Sequence, residues 1–218
     1  AGPPLPPAGP PLGNRGVPPL ADVVRASNEV ARTSSRLAKV AALAECMKRL
    51  DPDEVEIAIP FLSGDNRQGK LTIGYAMLRS ARFTPAVAPS LSLHEVDATF
   101  DQLKQTKGKG SAARREALIK DLFEKSTIDE QSFLARLIVG ELRQGALEGI
   151  MLDAVAAASG LKAAEVRRAA TFAGGVAQVA RAALAGEPLE RFSIRLMQPV
   201  LPMLAQPAED VAAALAEL

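Results

Sequence analysis

S-G-D-N-R-Q-G at Ser63–Gly69 and V-G-E-L-R-Q-G at Val139–Gly145 are two versions of one phrase. They stand 76 residues apart, and the offset holds beyond them without a gap. Ser35 falls on Ser111, Asp53-Glu54 on Asp129-Glu130, and Leu71 on Leu147. About 40 residues, Ala31 to Gly69, therefore lie over Lys107 to Gly145. A duplicated unit with the same Gly-acid-x-Arg-Gln-Gly loop offers two similar contact points. Such a pair suits a ligand that itself has two similar strands.

Outward from these loops the pattern is helical. Leu20, Val23, Val24 and Val30 recur at helical spacing, and Thr33, Ser34 and Ser35 offer hydroxyl caps to a helix over Arg36–Leu50 with Leu37, Val40, Leu43 and Met47 on one face. Asp51-Pro52 stops that helix and starts Asp53–Leu62, which Pro60 should kink or shorten. Leu71–Arg82 reads as helix, although Leu71-Thr72-Ile73 also suits a short strand. The second copy repeats the order. Leu93–Gln105 comes first, then a flexible basic loop at Lys107–Ser111 and a helix over Ala112–Lys125. Glu130–Val139 follows, capped by Thr127 or Asp129, then Ala146–Ser159. Lys162–Phe172 and Val176–Ala185 continue the array, Arg191–Pro207 is strand-like, and Ala208–Leu218 is a short acidic helix or frayed end. The predicted fold class is all-α: a compact multi-helix array with an internal duplication, the repeats running about 31–82 and 107–158. Nothing alternates strand with helix as an α/β enzyme would.

At 218 residues the chain can bury a substantial core. Residues 1–19 are rich in Pro and Gly and read as a flexible tail, a linker or a ligand for an adaptor, with no signal peptide in them. No apolar run reaches membrane-spanning length, and with the lone Cys46 read as a core residue a reducing cytoplasm is expected. One cysteine excludes an intrachain disulfide and a Cys-based metal site. One histidine, His94, excludes a multi-histidine site, and it reads as a helix-start or surface residue. No phosphate loop of the G-x-x-x-x-G-K-[ST] type is present, and the acid pairs at Asp53-Glu54 and Asp129-Glu130 read as helix caps. No catalytic residue, metal ligand or cofactor of this chain is predicted.

Charge is balanced overall, with 26 Lys plus Arg against 25 acids, but not locally. Lys104, Lys107, Lys109, Arg114 and Arg115 face only Asp101 and Glu116 nearby. A helix N-terminus presents unpaired N–H groups and partial positive charge, so it receives phosphate. Gly110 and Ser111 form such an end, flanked by Lys107 and Lys109 with Arg114 and Arg115 one turn in. Ser34, Ser35 and Arg36 hold the same register in the first copy. Arg67, Gln68 and Gly69, with Arg143, Gln144 and Gly145, add fork-shaped donors beside glycines that let a backbone approach. These fifteen residues are the candidate nucleic-acid contacts. The competing readings are a helical-repeat scaffold that binds protein and a small all-helical enzyme with an unrecognised site.

F-L-S-G-D-N-R-Q-G-K-L-T-I-G-Y-A-M-L at Phe61–Leu78 and F-L-A-R-L-I-V-G-E-L-R-Q-G-A-L-E-G-I-M-L-D-A-V-A at Phe133–Ala156 resemble the N-terminal DNA-binding domain of ATP-dependent DNA ligases, in a bacterial, actinobacterial style. K-G-K-G-S-A-A-R-R at Lys107–Arg115 resembles that family's basic turn before a helix, and Met197–Ala205 resembles its R-P-V-x-P-M-L-A lead-in. The resemblance implies a pseudo-two-fold helical domain over 20–195 that lies across the minor groove and grips phosphates on both sides of a nick. It implies that 196–218 leads into a nucleotidyltransferase domain, followed by an OB-fold domain. The K-x-D-G motif of the adenylated lysine is missing, so the expectation is a monomeric domain that binds nicked duplex but neither adenylates nor seals. On the same resemblance, ATP and Mg2+ serve the parent enzyme in replication, repair or recombination.

Overall fold

A computed structural model describes residues 18–71, 73–74, 77–78, 83–142 and 148–193. The Pro-rich tail, most of the expected helix over 71–82, the second Arg-Gln-Gly and the segment from 194 onward lie outside the described residues. Within them are nine α-helices and no strand: α1 Pro19–Arg32, α2 Arg36–Met47, α3 Pro52–Ser63, α4 Leu93–Gln105, α5 Ser111–Glu124, α6 Ile128–Val139, α7 Glu148–Ser159, α8 Ala163–Ala173 and α9 Val176–Leu184, with a 3-10 turn at Leu189–Arg191. The fold is all-α.

The helix starts follow from short polar side chains. Ser35 Oγ accepts from Ala38 N at 3.3 Å to open α2, and Thr33 Oγ1 accepts from Ser35 N just before it. Ser92 and Glu95 exchange bonds at the head of α4, and Thr127 and Glu130 do so at α6, so Thr127 rather than Asp129 is the cap there. Asp51 N donates to Glu54 Oε2 at 2.8 Å as α3 begins with Pro52. Pro60 does not shorten α3, which runs on to Ser63. Its ring forfeits one i→i−4 bond in the last turn, where few bonds remain to be lost.

Two helix ends match across the 76-residue offset. α3 ends in Gly64 N donating to Phe61 O and Asp65 N to Pro60 O; α6 ends in Gly140 N donating to Leu137 O and Glu141 N to Arg136 O. Both glycines are left-handed, with φ of 85° and 74°, the termination that favours glycine.

One core unites the helices. α1 packs on α2, α3 and α6; α2 lies on α7, α3 on α9, and α4 on α3 and α5, while α8 closes against α7 and α9. Phe61, Phe100 and Phe133 are fully buried, the first two with ring centroids 5.7 Å apart. Cys46 is buried as expected, and burial pushes its thiol up to about 12. Leu37 departs from expectation: it is 81% exposed. α2 buries Leu43, Ala44, Cys46 and Met47 near its C-terminus, and its first turn overhangs the core.

Candidate nucleic-acid interface

The first Arg-Gln-Gly loop is moored to α4. Arg67 Nε donates to Asp97 Oδ1 at 3.0 Å while Nη2 donates to Asp97 Oδ2, a two-pronged grip. Gln68 Nε2 reaches Asp97 Oδ1 at 3.0 Å and Asp101 Oδ1 at 2.9 Å, and Lys104 Nζ donates to Lys70 O at 3.1 Å. Positions 97, 101 and 104 recur at four and three residues, so one stripe of α4 receives the whole loop. Burial works against ionisation of Asp97, but the bonds from Arg67 and Gln68 outweigh it and hold the carboxyl below its usual range. The same contact raises the Arg67 guanidinium further.

That stripe runs straight into the Lys107–Ser111 loop. Arg114 Nη2 donates to Lys107 O at 3.0 Å and to Lys109 O at 3.4 Å, and Arg115 Nη2 donates to Thr106 O at 2.7 Å. The arginines thus bind the loop's carbonyl oxygens, the groups that would repel a phosphate. Gly110 is left-handed at φ 77°, and α5 starts without a side-chain cap, so no hydroxyl or carboxylate competes at its first turn. Lys107, Lys109, Gly110 and Arg114 are exposed, Ser111 and Arg115 half-buried. His94 lies on the surface against Asp53, 3.0 Å away.

The first copy's helix end is arranged differently. Ser34 and Ser35 are exposed, and Arg36 Nη2 donates to Asp153 Oδ2 at 2.6 Å and Gly149 O at 3.2 Å on α7. Arg167 of α8 grips the other oxygen of Asp153. Gly69 is exposed. Arg143, Gln144 and Gly145 lie outside the described residues, but their neighbour Leu142 touches the first loop: a β-carbon on Gly64 would stand 2.1 Å from Leu142 O. The backbone at Leu142 therefore lies against Gly64, where the first loop begins. Asp97, Asp101, Asp153 and Arg167 were not among the sequence candidates. The i, i+4 spacing of Asp97 and Asp101 was visible, but nothing local ties them to residues some 30 positions earlier.

The described part of the chain is thus a helical array whose glycine-closed helix ends and basic loop lie along α4 and the start of α5. Residues 75–156 match the model of the family described as DNA ligase N terminus. The chain is 48% identical over 203 residues to a protein of Anaeromyxobacter sp. (strain Fw109-5) called "Probable DNA ligase", covering 91% of this chain and 39% of that protein. Relatives of the same description from Saccharopolyspora erythraea and Mycolicibacterium paratuberculosis are 47% and 49% identical, over 91% and 90% of this chain and 39% and 38% of theirs. The chain thus spans about two fifths of the length of the curated relatives it matches.

Proposed function

We propose that this chain is the duplex-gripping domain of an ATP-dependent DNA ligase. It binds the sugar-phosphate backbone of nicked DNA across the minor groove without reading sequence. The observation that carries the reading is the continuous strip from Arg67 along α4 to Lys107, Lys109, Gly110, Ser111 and Arg114. Two matching helix ends 76 residues apart, with Leu142 against Gly64, support a pseudo-two-fold grip on two strands. On the same reading Gln68 and Gly69, with Ser34, Ser35 and Arg36 at the head of α2, are further contacts of the first copy, and Arg143, Gln144 and Gly145 are the counterparts of Arg67, Gln68 and Gly69 in the second. Arg115 holds the loop carbonyl and shapes the site from inside.

Nucleotidyl transfer and sealing belong to other parts of the parent enzyme, a nucleotidyltransferase domain and an OB-fold domain. Among the described residues no group of three or more His, Cys, Asp or Glu could hold a metal ion; on this reading ATP and Mg2+ serve the parent enzyme. No helix among them is long and apolar enough to cross a membrane. Phosphate contacts position a protein without specifying sequence, and each releases counterions. The test is fluorescence anisotropy with a nicked duplex and a Lys107→Ala/Lys109→Ala/Arg114→Ala variant. The reading requires the variant to lose affinity equally on duplexes of different sequence. Unchanged affinity would remove this loop from the interface, and a chain that captures proteins but ignores duplex would favour the scaffold reading.

A further inference from the structure

Arg67 is already engaged by Asp97, which at first sight removes it from a phosphate. The geometry of the fork says otherwise. A guanidinium has five N–H donors in a fixed plane. Asp97 takes the side-on edge, Nε with one hydrogen of Nη2. Nη1 has no hydrogen-bond partner among the described residues, and the side chain is 44% exposed while that of Asp97 is 7% exposed. The carboxylate lies inside and the guanidinium outside, with its end-on edge facing away from Asp97.

We propose that Asp97 is a positioning residue, which presents the end-on edge of Arg67 to a backbone phosphate while gripping the side-on edge. The inference rests on the duplex-binding reading and adds a residue of opposite charge to its machinery. Gln68 supports the arrangement by binding Asp97 and Asp101 together, so both carboxylates on the α4 stripe are committed to the loop. An arginine held on one edge reaches its ligand with less side-chain freedom to lose, and that is how an anchoring carboxylate strengthens binding of a polyanion.

The sign of one substitution separates this account from bulk electrostatics. Asp97→Asn removes a negative charge, so long-range attraction alone predicts tighter duplex binding. Loss of positioning predicts weaker binding, with the log affinity against log salt slope shallower by about 0.9, one phosphate's worth. In an Arg67→Ala background Asp97→Asn should then have no further effect. Thermal unfolding of each variant monitors the fold. Because Asp97 is buried, Arg67→Lys is the second variant. It keeps the charge and its folding, but one ammonium cannot span carboxylate and phosphate, so its slope should match that of Arg67→Ala. Wild-type affinity in Arg67→Lys, or tighter binding by a folded Asp97→Asn, overturns the inference while leaving duplex binding by the wild-type chain intact. No salt-dependent binding by the wild-type chain itself would instead remove the reading on which it rests.

Discussion

Gly64 and Gly140 hold equivalent places, and the structure predicts that they respond differently to the same change. Each ends its helix in a left-handed conformation, at φ 85° and 74°. An alanine in that conformation costs about 1–2 kcal/mol from contact between its β-carbon and the following carbonyl. For Gly140 nothing else lies within 4 Å of the added carbon, so that strain is the whole effect. At Gly64 the added carbon would sit 2.1 Å from Leu142 O and 3.2 Å from its carbonyl carbon. Backbone cannot rotate away as a side-chain end can, so the two loops must separate. Overpacking of this kind adds about 1–3 kcal/mol. Gly64→Ala should therefore destabilise by about 2–5 kcal/mol and Gly140→Ala by about 1–2. At about 2–4 °C per kcal/mol for a chain of this size, calorimetric Tm values should separate by several degrees. Equal Tm losses for the two variants would refute the close approach of the loops.

Further outcomes follow from other parts of the molecule. Cys46, buried with its thiol pushed up to about 12, should resist an aromatic disulfide reagent in the native state and react at once in denaturant. Phe100→Ala should cost about 3–5 kcal/mol in urea unfolding, since the ring is fully buried against Phe61. The depressed carboxyl of Asp97 adds stability that is present above the unfolded value of about 3.9 and lost as pH falls through the lower folded value. Asp97→Asn should flatten that acid-side fall in Tm. Ser35→Ala should cost about 1 kcal/mol by removing the α2 cap.

Most helices were legible because their signals are local. The hydroxyls at Ser35 and Thr127 mark helix starts, and the helical spacing of Leu93, Val96, Phe100 and Leu103 marks a buried face; all four of these apolar residues are fully buried. Leu37 misled because periodicity gives the face of a helix and not how far its partner extends along it. The site was legible only in part. Basic residues near glycines stand out in a sequence, but the carboxylates that orient them do not. Asp97 meets Arg67 across 30 residues and Asp153 meets Arg36 across 117, distances at which only the packed fold decides who meets whom. Arg115 looked like its neighbour Arg114 in sequence, yet one helical position turns it toward the core side of the loop.

The most direct test of the central claim is the salt dependence of duplex binding by the unaltered chain, measured on two nicked duplexes of unrelated sequence. A grip on backbone phosphates at several points predicts equal affinities for the two and a log-log slope steeper than about −3, each neutralised phosphate contributing about −0.9. A flat salt response, or a strong preference for one sequence, would contradict it.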